Sequence, residues 1–350
     1  MKRLRGSRKS TWGLSLSELA VSVDHWQKFA EFCHYEQLAG GPDPHMALVG
    51  EMSRGEPLEE IWWRAGCYIA CYNAPTAEAI WKHWTAREVR MNPEGMRRWI
   101  RENWAGLGFR RERRAVRTPE KLGRYFVSYV GYMPLFKVHY HPEAKFVSPG
   151  DAYEMAWRDL QKVYGLGRYV ALKILEFVTR YADAPIALPD IRAKGGWSPR
   201  RALALLFPED AEALLGDDSP RNVAIAEDRA LQVLERVEEP LSMYNLQVLL
   251  RDYKQSAIGR RQYPGRSQDS EIFYGRKVED AFPDIKLEMW DARKRLFPHW
   301  ALGELNGWWE VRESLGDVLA DHNYTWSDSL YDWHESKDNL AVPVSASKAA

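Results

Sequence analysis

Four times along the chain a hydroxyl side chain stands directly before a proline: Thr118-Pro119, Ser148-Pro149, Ser198-Pro199 and Ser219-Pro220. A serine or threonine oxygen accepts an amide proton that a helix leaves unpaired at its start. Proline, with no N–H to lose, fits the first helical position. Four such starts predict a mostly helical chain. Periodicity agrees: after Pro220 the apolar residues Val223, Ile225, Ala226, Leu231, Leu234 and Val237 recur at near-helical spacing, and Leu241 to Tyr253 continues after Pro240. No long alternating pattern competes, so the expected fold class is all-α.

At 350 residues the chain can bury a real core without disulfides. It has three cysteines, Cys33, Cys67 and Cys71, and no run of about 20 apolar residues or secretory segment, which predicts a reduced, soluble, cytoplasmic protein without a membrane partner. Cys67 and Cys71 sit one helical turn apart with no partner pair and read as buried thiols. His139 and His141 lack a third ligand beyond Glu143, so no metal ligand and no cofactor is expected. Sixteen tryptophans read as packing rather than base-stacking groups.

Basic and acidic residues balance at 49 each, but they are segregated. Residues 97–117 hold eight arginines against Glu102 and Glu112, and a second basic stretch runs from Arg251 to Arg266. From Glu209 to Glu239 ten carboxylates face three arginines, so opposite faces of opposite charge are expected, with solvated helix faces as the plainer reading.

The most informative segment follows Ser148. Ser148-Pro149-Gly150-Asp151 reads as a capping box, and Ala152, Ala156, Leu160 and Val163 then share one helix face. Gly165-Leu166-Gly167 interrupts before a second periodic set, Val170, Ile174, Phe177, Val178 and Tyr181. Two helices flanking a glycine turn place the free amides and positive end of the second helix beside a bare backbone, where a DNA phosphate fits. Such hairpins also arise for geometric reasons alone.

The order Val163-Tyr164-Gly165-Leu166-Gly167-Arg168-Tyr169-Val170-Ala171, then a helix, then Pro185-Ile186-Ala187-Leu188-Pro189-Asp190 resembles the helix-hairpin-helix DNA glycosylases. The resemblance implies two helical lobes with a cleft between them, hairpin and Asp190 in one lobe, the N-terminal helices and those near 240 to 256 in the other. It places Gly165, Leu166, Gly167 and Arg168 on DNA and Asp190 as the catalytic acid. Position 169 is tyrosine where glycosylase-lyases carry a lysine, which argues against Schiff-base chemistry. The four clustered cysteines of iron–sulfur relatives are lacking.

Further segments resemble a phage-associated branch, the alpha-glutamyl/putrescinyl thymine pyrophosphorylases or amino acid:DNA transferases. They are Ile61 to Tyr68 with Ala79-Ile80-Trp81, Glu112 to Pro119, and Asp252-Tyr253-Lys254 with Gly259 to Gly265. This resemblance implies transfer of an amino acid or other amine onto pyrophosphorylated 5-hydroxymethyluracil in DNA, with release of pyrophosphate. A leaving pyrophosphate needs clustered cationic donors. Arg110, Arg111, Arg113, Arg114, Arg117, Lys254, Arg260 and Arg261 are the candidates for pyrophosphate or DNA phosphate, and Arg192 for the carboxylate of the amine substrate. Asp190 would accept the amine's proton or orient its ammonium form, with a structural role such as a helix cap as the alternative. The partners implied are double-stranded DNA with modified thymine and a free amino acid or polyamine, acted on by a monomer in the cytoplasm, the host's if the chain is viral. The expected organisation is a glycosylase-like helical domain over 10–270 with the hairpin at about 149–181, a helical extension over 271–337 and a disordered tail over 338–350. A monofunctional DNA glycosylase and a non-catalytic DNA-binding module remain as alternatives.

Overall fold

The computed structural model describes residues 25–38, 41–109, 118–140, 148–184, 186, 188, 190–238, 241–257 and 266–296. Among them are fifteen α-helices and no strand, so the fold is all-α as expected. In chain order these are α1 (His25–Leu38), α2 (Pro44–Met52), α3 (Leu58–Cys71), α4 (Ala74–His83), α5 (Ala86–Met91), α6 (Pro93–Asn103), α7 (Pro119–Tyr140) and α8 (Pro149–Leu160). They continue with α9 (Arg168–Tyr181), α10 (Trp197–Leu206), α11 (Ala211–Leu215), α12 (Pro220–Arg236), α13 (Met243–Ala257), α14 (Arg266–Ala281) and α15 (Met289–Leu296). None of these is long and apolar enough to cross a membrane. The tail over 338–350 lies outside the described residues.

The chain forms two compact units. One spans Ala39–Pro189 and Gly265–His322 and holds α2 to α9 with α14 and α15. The other spans Met1–Leu38, Asp190–Pro264 and Asn323–Ala350 and holds α1 with α10 to α13. Because the chain passes from one to the other between Pro189 and Asp190, the hairpin and Asp190 fall in different units, where a shared lobe was expected. The N-terminal helix does pack on the helix near 250. Phe29 and Phe32 meet the ring of Tyr253 edge-on at 5.1 and 5.9 Å, and the Tyr253 hydroxyl donates to the His25 carbonyl at 3.1 Å.

Capping explains most of the helix starts. Thr118, Ser148 and Ser219 accept the third-residue amide of α7, α8 and α12 at 3.3, 3.2 and 3.4 Å. Asp151 turns back to the Ser148 hydroxyl at 2.6 Å, closing the N-terminus of α8. The fourth expected start shifts. α10 begins at Trp197 with Gly196 as its cap, the Gly196 carbonyl accepting the Arg200 amide at 3.2 Å, so Ser198 lies inside the helix. Pro199 is tolerated there because first-turn amides have no intrahelical partner anyway. Carboxylate and amide caps do the same work elsewhere: Asp43 opens α2, Asn73 opens α4 and Asn92 opens α6.

Aromatic packing holds the larger unit. Trp62, Trp63 and Tyr68 of α3 and Tyr125 and Tyr129 of α7 are fully buried. Tyr129 donates to the Trp62 carbonyl at 2.7 Å and Tyr125 to the Gly66 carbonyl at 3.0 Å. This approach needs glycine: a Cβ on Gly66 would lie 2.2 Å from the Tyr129 ring. Gly50 of α2 meets Tyr181 of α9 in the same way, again at 2.2 Å. Cys67 and Cys71 are buried and outside any disulfide, and burial pushes the Cys67 thiol well above its usual range, so Cys67 stays an uncharged packing group.

Candidate functional site

The helix, glycine turn, helix order appears at the expected place, α8 ending at Leu160 and α9 starting at Arg168. Its two glycines have different reasons to be there. Gly165 has φ 76°, a conformation that costs other residues about 1 kcal/mol or more. Gly167 has ordinary extended backbone and caps α9, and a Cβ added to it would meet nothing within 4 Å. Among the described residues nothing packs where a side chain at 167 would begin; the glycine leaves a bare backbone at the N-terminus of α9. Leu166 anchors the turn, being 7 % exposed. The Tyr164 amide donates to Ser128 Oγ of α7 at 3.0 Å, and Arg124 lies over the Tyr164 ring at 4.0 Å. Arg168, the first residue of α9, is half-buried.

Beneath this turn α9 carries a lysine and a glutamate into the core. Lys173 is fully buried, and its Nζ lies 2.6 Å from Glu176 Oε2 in hydrogen-bonding geometry and 2.9 Å from Asp43 Oδ2 as an ion pair. Arg180 reaches the other Glu176 oxygen at 2.9 Å, and the Tyr68 hydroxyl donates to Asp43 Oδ1 at 2.6 Å. Burial pushes the Asp43 carboxyl upward, but the Lys173 ammonium and the Tyr68 hydroxyl outweigh it and hold the group at about 2. Burial likewise pushes Lys173 downward, and the Asp43 and Glu176 carboxylates outweigh that, raising it above the ordinary lysine value. Such an ammonium does not deprotonate to a nucleophile near neutral pH. Lys173 therefore gives no route to Schiff-base chemistry, in keeping with the tyrosine at 169.

Tyr169 and Tyr72 adjoin this network through Tyr68, their own hydroxyls 2.6 Å apart. Tyr72 ends α3 with φ 60°, stacks on Tyr68 at 5.4 Å between ring centres and is 4 % exposed. An aromatic residue in that backbone region is held there by its surroundings. The very next residue, Asn73, already caps α4 and donates to the Gly108 carbonyl at 2.9 Å. Sequence reasoning missed Asp43, Lys173, Glu176 and Tyr72. The available signal was a lysine and a glutamate inside the apolar stripe of α9.

Asp190 lies in the other unit, at a turn tied down on every side. Its Oδ1 accepts the Arg192 amide at 2.7 Å. The two oxygens of Glu227, on α12, accept the Ile191 amide at 2.8 Å and the Ala193 amide at 2.6 Å. Gln247 of α13 donates to the Ile191 carbonyl at 2.6 Å, and Asp218 accepts the Gly195 amide at 3.0 Å. Inside this frame Arg192 takes φ 57°. That backbone costs roughly 1 to 3 kcal/mol. Each hydrogen bond to a charged acceptor contributes roughly 1.5 to 3 kcal/mol, so the clamp wins. Asp190 caps no helix, since α10 is capped by Gly196. Its side chain is 37 % exposed, and Arg192 Nε stands 3.8 Å from its Oδ1.

Lys254 is in α13, 7 % exposed. Arg110, Arg111, Arg113, Arg114, Arg117, Arg260 and Arg261 lie outside the described residues. Among the described residues no group of three His, Cys, Asp or Glu side chains could hold a metal ion. His141 and the side chain of His139 are not among them.

No curated protein and no solved structure matches the chain. One family profile, amino acid:DNA transferase, matches residues 42–256, from the residue before Asp43 to the last turn of α13, and takes in the hairpin, the buried charge network and the Asp190 turn. Because that match covers more than half of the 350 residues, the chain belongs to the amino acid:DNA transferase family and is a transferase that modifies DNA.

Proposed function

We propose that the chain hypermodifies thymine by joining the amine of a free α-amino acid to pyrophosphorylated 5-hydroxymethyluracil in double-stranded DNA. The bond from the 5-methylene carbon to the pyrophosphate oxygen breaks, a carbon–nitrogen bond forms, pyrophosphate leaves, and the proton shed by the amine passes to a base. The observation that carries the substrate class is the Asp190 turn, which places a carboxylate and a guanidinium 3.8 Å apart on one tied-down loop. An α-amino acid bears an ammonium and a carboxylate on one carbon, and the pair offers each its counter-charge. Asp190 orients the ammonium and takes the proton, and Arg192 holds the carboxylate. The arginines of 110–117 with Lys254, Arg260 and Arg261 are the proposed cations for pyrophosphate or backbone phosphate. Membership in a transferase family favours this over a monofunctional glycosylase or a non-catalytic binding module.

The test is to incubate the protein with such DNA and a panel of amino acids and polyamines, digest to nucleosides and measure masses. The expected result is an intact nucleoside carrying the amino acid, with one pyrophosphate released per transfer. Free base and abasic sites would instead support the glycosylase, and nucleosides unchanged with every amine would defeat the proposed substrate.

The hairpin is the proposed grip on the DNA backbone. Gly167→Val is expected to weaken binding to every DNA sequence alike by about tenfold, the worth of one charge-assisted hydrogen bond, because it fills the bare end of α9. Since a Cβ there has open space, the fold should lose no more than about 1 kcal/mol. Titrations on unrelated duplexes, with thermal melts of the same variant, check both halves; affinity equal to wild type removes the hairpin from DNA binding.

A further inference from the structure

We infer that Glu227 is the positioning residue of the amine site: its two oxygens hold Arg192 in left-handed backbone and so set Asp190 and Arg192 as one rigid receptor for a zwitterion. The inference rests on the reading of Asp190 and Arg192 given above. The amides of Ile191, Arg192 and Ala193 all point to carboxylates, the outer two to Glu227 and the central one to Asp190. Successive amides turned to one side make a concave donor set of the kind that binds anions, here filled by the protein's own carboxylates. Glu227 lies 36 and 34 residues along the chain from its two partners, so the turn's own sequence does not impose this shape. Gln247, 7 % exposed, fixes the Ile191 carbonyl from another helix. Neither anchor is required to start α10, which opens later at Trp197 under Gly196. What the clamp does fix is the position of Arg192 relative to Asp190.

Loss of the clamp should therefore affect substrates that use both charges and spare those that use one. Glu227→Gln keeps the volume and replaces one acceptor oxygen by a donor facing an amide. Made in the full chain, it is expected to speed amide exchange in segment 190–196 by about tenfold or more, with Tm lowered by only a few degrees. The KM for the amino acid should rise about tenfold, while kcat and the KM values for DNA and for putrescine, which has no carboxylate, stay within about threefold. Unchanged exchange overturns the inference, as does faster exchange with an unchanged amino-acid KM. A fall in every parameter together with a large drop in Tm marks a purely structural residue and overturns it too. Should Glu227→Gln fail to accumulate, Gln247→Leu removes the Ile191 carbonyl anchor alone, and the same split is expected. Arg192→Ala separates this from the reading it rests on. An unchanged amino-acid KM in Arg192→Ala sinks the zwitterion reading itself, whereas a raised one beside an unaffected Glu227→Gln sinks the clamp alone.

Discussion

Lys173→Met is expected to destabilise the protein by about 3 to 5 kcal/mol, because it takes from the buried Asp43 and Glu176 carboxylates the ammonium they share and leaves Glu176 only Arg180. At roughly 2 to 4 °C per kcal/mol for a unit of this size, the melting transition should fall by about 6 to 20 °C. The cost arises from uncompensated charge rather than lost volume, so adding Asp43→Asn and Glu176→Gln to Lys173→Met should recover much of it. Asparagine at 43 retains the oxygen that accepts the Met46 amide at 3.2 Å, so the α2 cap survives the change. A Lys173→Met protein melting within about 2 °C of wild type would show the network to be energetically neutral. The same network predicts acid behaviour. Asp43 sits at about 2 when folded against an ordinary 3.8, so its contribution is fully present above about pH 4 and is lost as the pH falls through 2. That contribution is about 2 kcal/mol, and Asp43→Asn should flatten stability against pH in that window.

Asp190→Asn is expected to lower kcat by roughly 100-fold to 10,000-fold, the usual worth of a positioned acid or base, while DNA affinity changes by less than about twofold. The substitution is unusually clean here. Asparagine keeps the oxygen that accepts the Arg192 amide, so the turn persists and only the negative charge and the proton acceptor are removed. Single-turnover rates at saturating DNA, with affinity measured separately, decide the matter; a rate equal to wild type takes Asp190 out of the chemistry. A drop in DNA affinity of the same size as the drop in rate would instead make Asp190 a docking residue.

Local grammar made the helices legible in the sequence. Ser148-Pro149 and Ser219-Pro220 announce α8 and α12 because a cap is decided within four residues. The periodic set after Gly167 announces the buried face of α9, whereas the set after Pro220 announces α12 but not its buried face, which is Ala226, Ala230 and Val233 with Leu231 exposed. Ser198-Pro199 misled by two residues because the Gly196 carbonyl takes the first helical bond and draws the start forward. Asp190 and Arg192 could be singled out by resemblance, yet their local structure depends on Glu227 and Gln247, which no nearby spacing connects to them. Lys173 and Asp43 are a stronger case. Lys173 is marked only by its place in the apolar stripe of α9 and Asp43 reads as a plain helix cap, and only the packing of α2 against α9 turns them into a buried pair. Tyr72 was equally hidden, since its left-handed backbone falls where α3 and α4 meet with only Tyr72 and Asn73 between them.

Gly66 and Gly50 have a mechanical consequence. Each lets a tyrosine ring of a facing helix rest where any Cβ would collide, so a slide that brought Ala65 or Cys67 opposite Tyr129, or Val49 or Glu51 opposite Tyr181, meets hard repulsion. The two helix pairs, α3 with α7 and α2 with α9, are thereby fixed in register like meshed teeth. Close-packed interiors of this kind have low compressibility and pass displacement on rather than absorb it. A load applied at the start of α9 is carried by the whole helix to Tyr181 and across to α2, so this unit should move as a solid body and leave bending to the segments between helices.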